Sequence, residues 1–253
     1  MKIISYNVNG IRAAIHKGFL EWLSKENPDI ICIQEIKATE DQIPRMEIEA
    51  LGYHTYFYPA KRKGYSGVAI FSKIEPTRVE YGMGIEKYDA EGRFLRVDFE
   101  NYSVVSVYHP SGTSGDERQD FKMQWLHDFS DYTQTLKTSL RLVLCGDFNI
   151  CHRPIDIHDP VRNAHNSGFL PEEREWIDGF IRSGFTDSFR YIQGDVKDCY
   201  SWWSYRFNAR AGNKGWRIDY IMVDDRLKSL IHSANILSNI VHSDHCPVVC
   251  ELD

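Results

Sequence analysis

The sequence has no long apolar run and little net charge of either sign. Of its 253 residues, 30 are Lys or Arg and 36 are Asp or Glu, so the formal net charge is −6. This balance excludes recognition of nucleic acid by bulk positive charge, although it leaves room for local basic clusters. No segment approaches the roughly 20 apolar residues of a membrane span, and the first residues lack the apolar core of a signal peptide. We therefore expect a soluble protein of the cytoplasm with no membrane partner.

Cysteine is also sparse, and it follows no metal-binding or disulfide pattern. None of the six cysteines belongs to a CxxC pair, so we interpret them as reduced thiols of an intracellular protein. No Gly/Ser/Pro-rich linker divides the chain, and no repeat recurs along it. With a prior of roughly 150 residues per domain, we predict one domain over residues 1–253, and a monomer by default.

Short β-rich apolar runs dominate the predicted secondary structure, and helical patterns lie between some of them. The predicted strands are Ile3–Tyr6, Ile30–Gln34, Gly67–Ser72, Phe94–Phe99, Ser103–Tyr108, Leu140–Cys145, Arg217–Val223 and Pro247–Leu252. The predicted helices are Phe19–Glu26, Asp116–Lys137 and one that starts at Pro171. Alternation in Leu95–Phe99 suggests half-buried antiparallel strands. Because helices do not alternate strictly with strands, we predict an α+β sandwich of two packed sheets flanked by helices, and not a doubly wound parallel sheet.

Polar side chains follow or precede the predicted strands at positions where side chains from several strands can meet. They are Asn7, Asn9, Glu35, Tyr108, Asp147, Asn149, Asp219, Asp244 and His245. Carboxylate and amide oxygens suit Mg²⁺ or Mn²⁺, whereas a single His and no cysteine pattern fit zinc poorly. His245 is a candidate acid–base group whose tautomer a carboxylate such as Asp219 would fix. Each residue alone is equally compatible with a turn or a strand exit; the set in this order favours a metal-assisted phosphoester site.

Several longer blocks in this order resemble exonuclease III and the related apurinic/apyrimidinic (AP) endonucleases. These proteins belong to the Mg²⁺-dependent endonuclease/exonuclease/phosphatase superfamily. The matching blocks are 5–12 (SYNVNGIR), 34–37 (QEIK), 64–69 (GYSGVA), 108–112 (YHPSG), 145–150 (CGDFNI), 166–170 (NSGFL), 215–220 (GWRIDY) and 243–247 (SDHCP).

The resemblance implies a four-layered, DNase I-like sandwich and a role for each polar residue of the site. Glu35 is then the principal metal ligand, with Asn9 and Asp244 nearby, directly or through water. By the same resemblance, Tyr108, Asp147, Asn149, Asp219 and His245 are the catalytic residues. Asp147 would activate the attacking water or assist the leaving oxygen, and His245 with Asp219 would form a polarised pair at the phosphate.

The implied reaction is hydrolysis of the phosphodiester 5′ of an abasic site in duplex DNA, with removal of nucleotides or blocking groups from 3′ ends. A baseless sugar costs less to extrude than a stacked nucleotide, so a small apolar pocket can select it. The resemblance assigns that pocket to Trp202, Trp216 and Ile218. It implies DNA or phosphate contacts for Asn7, Arg12, Lys37, Ser111, Asn163 and Asn166.

The sequence departs from better-known relatives in three places, and two other functions remain open. Ser111 stands where those relatives carry Asn, segment 113–115 lacks an Arg that some relatives insert into the duplex, and Asn9 stands where some have Asp. One alternative is a non-catalytic nucleic-acid-binding regulator on the same scaffold. Another is a phosphoesterase for inositol phosphates or sphingomyelin. The complete acidic set speaks against the first, and blocks 166–170 and 215–220 against the second.

Overall fold

Two six-stranded β-sheets form the centre of the molecule. The computed structural model describes all residues from 1 to 253. The strands are β1 (Lys2–Asn7), β2 (Ile30–Gln34), β3 (His54–Tyr58), β4 (Val68–Ser72), β5 (Arg78–Tyr81), β6 (Phe94–Asp98), β7 (Ser103–Tyr108), β8 (Leu142–Asp147), β9 (Phe185–Asp187), β10 (Asp219–Asp224), β11 (Ile231–Ile236) and β12 (Val248–Leu252).

Seven α-helices and four short 3₁₀ turns connect these strands. The helices are α1 (Ile11–His16), α2 (Phe19–Glu26), α3 (Arg45–Ala50), α4 (Glu86–Asp89), α5 (Asp116–Lys137), α6 (Pro171–Arg182) and α7 (Ser188–Gln193). The 3₁₀ turns are Glu40–Gln42, Pro154–Asp156, Arg206–Asn208 and Asp225–Leu230. None of the helices is long and apolar enough to cross a membrane.

The strand order confirms the predicted pair of mostly antiparallel sheets. The first sheet has the order β11-β12-β1-β2-β4-β3, and the second has the order β5-β6-β7-β8-β10-β9. Only the central pairs β1–β2 and β7–β8 are parallel. A parallel pair brings the carboxyl ends of both strands to one edge, and each antiparallel neighbour begins at that same edge.

Three apolar layers hold the sheets and helices together. The inner layer lies between the sheets and includes Ile3, Val68, Val104, Val143 and Cys250, each fully buried. A second cluster packs α1 to α3 against the outer face of the first sheet, and a third packs α5 and α6 against the outer face of the second. This helix–sheet–sheet–helix stacking is the four-layered arrangement that the resemblance implies.

One strand pattern differs from its prediction. The alternation Leu95-Arg96-Val97 suggested a half-exposed strand, but every residue of β6 is buried, including Arg96 and Asp98. The Arg96 guanidinium donates to both carboxylate oxygens of Asp98, at 2.8 and 3.0 Å. A buried charge is tolerated when it is paired in this way, so charged residues in this strand do not mark a solvent-facing side.

Candidate active site

The central strands end at one edge of the two sheets, and their ends carry the predicted site residues. In the second sheet, Tyr108 pairs with Asp147 and Asp147 pairs with Asp219, so three strands place these side chains side by side. In the first sheet, Asn7 at the end of β1 pairs with Gln34, the residue before Glu35. The two sheets are joined just below, where Gln34 donates to Ser106 Oγ at 3.1 Å. The fold thus gathers residues that are far apart in the sequence.

The loops that leave these strands carry unusual backbone conformations at the site. Asn9, Glu35, Lys37 and Asn149 all have positive φ, at 45°, 52°, 48° and 53°. Non-glycine residues in this left-handed region cost free energy, and they concentrate at functional sites that the surrounding structure holds in place. The left-handed conformations directly after β1, β2 and β8 therefore orient side chains of these loops towards the site.

The centre of the site is a cluster of two carboxylates and one imidazole. Ligand atoms of Glu35, Asp147 and His245 all lie within 4.8 Å of one another. Asn7 is fully buried, and its Nδ2 donates to Glu35 Oε1 and to Asp147 Oδ2, both at 2.9 Å. A single amide thus bridges one carboxylate from each sheet and sets their separation.

His245 forms a buried pair with Asp219 behind this cluster. Its Nδ1 lies 2.9 Å from Asp219 Oδ2, and its Nε2 lies 3.8 Å from Asp147 Oδ2. Burial alone would lower the pKa of His245, but the Asp219 carboxylate, followed by Asp147 and Asp244, outweighs it and raises the pKa to about 10. The imidazole is therefore a cation at neutral pH, with one N–H held by Asp219 and the other facing the cluster.

The pKa of Asp147 is also raised, which in a carboxyl group favours the uncharged form. Burial, and then repulsion from Asp219, raise the pKa of Asp147 to about 7, although His245 and the Asn149 N–H act against this. Asn149 N donates to Asp147 Oδ1 at 2.8 Å, and Asn149 Nδ2 donates to the His109 carbonyl at 2.9 Å. A carboxyl group with a pKa near neutrality is suited to accepting or returning a proton.

Asn9, Lys37 and Asp244 form the outer part of the cluster beside Glu35. Asn9 Nδ2 donates to Asp244 Oδ1 at 2.9 Å, and Lys37 Nζ donates to Asn9 Oδ1 at 2.5 Å. The same ammonium lies 2.7 Å from Glu35 Oε2. Burial works to raise the pKa of Glu35, but the Lys37 charge prevails and lowers it. Glu35 is thus held as a carboxylate.

Tyr108 lies over a buried cation. The Arg93 guanidinium is centred 4.7 Å from the Tyr108 ring and donates to the Tyr108 carbonyl at 2.9 Å. Burial and the Glu35 carboxylate raise the pKa of Tyr108 well above its ordinary value. The phenol therefore keeps its proton at neutral pH and can act as a hydrogen-bond donor in the pocket.

A cavity of about 960 Å³ opens directly onto these groups. One wall is apolar, because Trp202, Trp216 and Ile218 pack on Phe169 and line the cavity. The Trp202 and Trp216 rings meet edge to face, with centroids 5.9 Å apart. Trp202 is also anchored to the cluster, since its Nε1 donates to Asp244 Oδ2 at 3.0 Å. An apolar wall beside a polar end is the usual composition of a small-molecule or nucleotide pocket.

The remaining predicted contact residues do not all reach this cavity. Ser111 and Asn166 line it, whereas Arg12 is exposed on α1 and Asn163 is hydrogen-bonded to backbone in its own loop. Asn163 acts through a neighbour, because its Oδ1 accepts from Asn166 Nδ2 at 2.7 Å. The structure therefore brings together every predicted catalytic and metal-ligating residue, but Arg12 and Asn163 do not line the cavity.

Several residues that shape the site were not predicted from the sequence. Gln119, His165, Ser167 and Arg206 line the cavity. Ser201 is buried behind the site, where its Oγ donates to Asp219 Oδ2 at 2.6 Å. Ser167 lies within block 166–170, which was the available signal for it. The others lie in segments with no distinctive pattern.

The donor set fits a hard divalent cation. Carboxylate oxygens of Glu35 and Asp147 lie within 4.8 Å of each other, and the protonated His245 beside them is a hydrogen-bond donor and not a ligand. Asp219 Oδ1, behind the cluster, is buried without a hydrogen-bond partner in the protein. Oxygen-rich sites of this type favour Mg²⁺ or Mn²⁺ over softer metals, and the oxygens of Asp244 lie next to the cluster.

Comparisons with known proteins agree with the class of enzyme that the fold and the site suggest. Residues 4–245 match the model of the Endonuclease/Exonuclease/phosphatase family. The exodeoxyribonuclease of Bacillus subtilis (strain 168) is 46% identical over 249 residues, which are 98% of each chain. An AP endonuclease structure from Archaeoglobus fulgidus superposes with a TM-score of 0.92 at 31% identity, covering 100% of this chain and 99% of that one.

A third relative was solved with nucleic acid. It is the 3′ phosphatase NExo from Neisseria, bound to a product DNA hairpin, with a TM-score of 0.91, 29% identity and coverage of 100% and 99%. The chain belongs to the endonuclease/exonuclease/phosphatase family, in its branch of exodeoxyribonucleases and AP endonucleases. It is a DNA repair nuclease, a hydrolase of DNA phosphodiester bonds.

Proposed function

We propose that this nuclease cuts duplex DNA on the 5′ side of abasic sites and removes blocked 3′ ends, with Mg²⁺ as its metal. The observation that carries the proposal is the apolar wall of Trp202, Trp216 and Ile218 beside the cluster of Glu35, Asp147 and His245. A deoxyribose without a base fits against such a wall, whereas an attached base needs additional room. The names of the relatives support both substrate types.

The roles of the residues follow from their charge and hydrogen bonds. In hydrolysis, a water oxygen bonds to phosphorus, the bond to the leaving oxygen breaks, and one proton passes to that oxygen. Asp147, with a pKa of about 7, accepts the proton of the water. The protonated His245 and the phenol of Tyr108 donate hydrogen bonds to phosphate oxygens, where negative charge develops.

Glu35 is the principal residue that would hold the metal, with Asp244 and Asn9 beside it. A bound Mg²⁺ supplies Lewis-acid stabilisation of the phosphoryl group. Lys37 keeps Glu35 ionised before any metal binds. We further propose that the enzyme acts as a monomer in the cytoplasm.

The test is cleavage of a duplex that contains one tetrahydrofuran abasic analogue. We expect a single cut 5′ of the analogue with Mg²⁺ and no cut with EDTA. Glu35→Gln should weaken Mn²⁺ binding in calorimetry at least ~10-fold, because it removes one of the two carboxylates of the cluster. The matched control is Glu49→Gln, which changes a carboxylate on the exposed surface of α3. An intact duplex with Mg²⁺ would refute the abasic-site activity, and equal cutting in EDTA would refute the metal requirement.

A further inference from the structure

A buried ion pair lies directly behind the site and contacts no position where substrate can sit. Lys122 on α5 and Glu173 on α6 are both 0% exposed, with Nζ 2.5 Å from Oε1. Burying two charges costs several kcal/mol per ion before they attract each other, and apolar replacements are often equally stable. Stability alone is therefore a weak explanation for this pair. Its other hydrogen bonds include bonds to backbone groups that support the site.

The ammonium of Lys122 holds the backbone of Asn149. Lys122 Nζ donates to the Asn149 carbonyl at 2.9 Å. Asn149 is in the left-handed conformation, with φ of 53°, and its own N–H donates to Asp147 Oδ1 at 2.8 Å. A charged donor on this carbonyl restrains ψ of Asn149, and with it the left-handed conformation from which the side chain and the N–H reach the site.

The carboxylate of Glu173 holds the loop behind the apolar wall. Glu173 Oε2 accepts from Gly168 N at 2.6 Å and from Leu170 N at 3.0 Å. Gly168 packs so closely that an added Cβ would lie 2.9 Å from the Trp216 ring and 3.1 Å from the Asn149 carbonyl oxygen. One ion pair therefore supports both the polar end and the apolar wall of the cavity.

We propose that Lys122 and Glu173 are positioning residues for hydrolysis. They act by holding the backbone of Asn149 and the loop at Gly168, which contacts Trp216, in the positions that the site requires. Neither side chain touches the reacting atoms. The inference deepens the proposed function and rests on it for the choice of abasic substrate. It requires only that the chain hydrolyse DNA, so it can also be tested on a 3′-terminal nucleotide.

The test is the double variant Lys122→Met/Glu173→Gln, in which no charge is left unpaired. Gln at position 173 retains an acceptor for Gly168 N and Leu170 N but loses the one for Gln119 Nε2, and Met at 122 loses the bond to the Asn149 carbonyl. Because misplacement of a site group by about 1 Å can cost ~10²-fold in rate, we expect kcat to fall about 100-fold while KM and the melting temperature change little.

The matched control is Arg96→Met/Asp98→Asn, which removes the buried pair within β6, away from the cavity. We expect this control to keep the parent kcat. A Lys122→Met/Glu173→Gln variant that is folded and has the parent kcat would overturn the proposal. Loss of abasic cleavage in the parent protein is a separate outcome: it refutes the proposed function, and the same variants are then compared on removal of a 3′-terminal nucleotide.

A second experiment separates a purely structural role from a positioning role. It measures the effect of Lys122→Met/Glu173→Gln on kcat in a protein that also carries Asn149→Ala. If the pair acts through Asn149, its removal should lower kcat by much less in that background than the ~100-fold expected in the parent. Equal losses in both backgrounds would overturn the proposal. If Lys122→Met/Glu173→Gln does not fold, Gly168→Ala tests the same wall: we expect a lower kcat at unchanged DNA affinity, and a parent-like kcat would count against the inference.

Discussion

His245 is the residue whose charge depends most on its folded surroundings. Its pKa is about 10 in the folded protein, compared with 6.5 for an ordinary imidazole, because Asp219, Asp147 and Asp244 outweigh the effect of burial. Above 6.5 an unfolded chain has released this proton, whereas the folded protein still binds it. Its contribution to stability is therefore fully present below pH 6.5 and is lost as the pH rises towards 10.

This difference predicts a specific pH dependence for His245→Gln. In EDTA, the parent should be more stable than the variant at pH 6, and the gap in unfolding free energy should close as the pH approaches 10. Urea unfolding at each pH measures the gap. His232→Gln, at an exposed imidazole, is the matched control substitution. A gap for His245→Gln that stays constant from pH 6 to 10 would contradict the assignment of a buried cation.

At the scale of the elements, β8 is the strand that the site depends on most, because it lies between β7 and β10 and ends at Asp147. Gly146 precedes Asp147, and the strands are so close there that a Cβ would lie 2.1 Å from the Val107 carbonyl oxygen. This atom belongs to the backbone of β7 and cannot rotate away. The close approach therefore requires glycine at this position.

Gly146→Ala should accordingly destabilise the protein by about 2–3 kcal/mol, the upper part of the range for overpacked positions. Gly179→Ala in α6 is the matched control, since nothing lies within 4 Å of its added Cβ. That control should gain ~0.5–1 kcal/mol from better helix propensity. Urea unfolding at neutral pH measures both changes, and equal stability of the two variants would be inconsistent with the packing described for β8.

The elements that the sequence predicts correctly are those with a strong local signal. Phe19–Glu26 and Asp116–Lys137 are helices with the predicted bounds, since their apolar spacing and end signals lie within the segments themselves. Strands β3, β5, β9 and β11 escape prediction, and all four lie at the edges of the two sheets, where a strand pairs on one side only. Their pairing is decided by neighbouring strands and not by their own composition.

The same distinction applies within the site. Glu35, Asp147 and His245 could be proposed from the sequence because each follows or precedes an apolar strand within a block shared with a known family. Lys122 and Glu173 could not, because each lies within an ordinary helix and the two are separated by 51 positions. Only the packing of α5 against α6 shows that their charges meet.

At the scale of the whole molecule, strands from the two ends of the fold pair with each other. β12 pairs with β1 in the first sheet, although the whole second sheet lies between them in the sequence. Both sheets also contribute to one inner core. Neither sheet can lose its partner without exposing that apolar layer to water.

We therefore expect the two sheets to unfold together. Far-ultraviolet circular dichroism, which follows the strands and helices, and tryptophan fluorescence should report the same urea midpoint in the absence of metal. The tryptophans sample both halves, since Trp22 packs on the first sheet and Trp125 on the second. Midpoints that differ beyond error would show that the sheets are separate folding units, contrary to the shared core.

The pairing of β12 with β1 also has a consequence for biosynthesis. Asn7 and Asn9 are synthesised before all strands of the second sheet, whereas Asp244 and His245 precede β12 and are synthesised after them. A chain that has been synthesised only as far as the second sheet therefore lacks the His245 imidazole and the Asp244 carboxylate. We therefore expect the reactive centre to be complete only after β12 has docked beside β1.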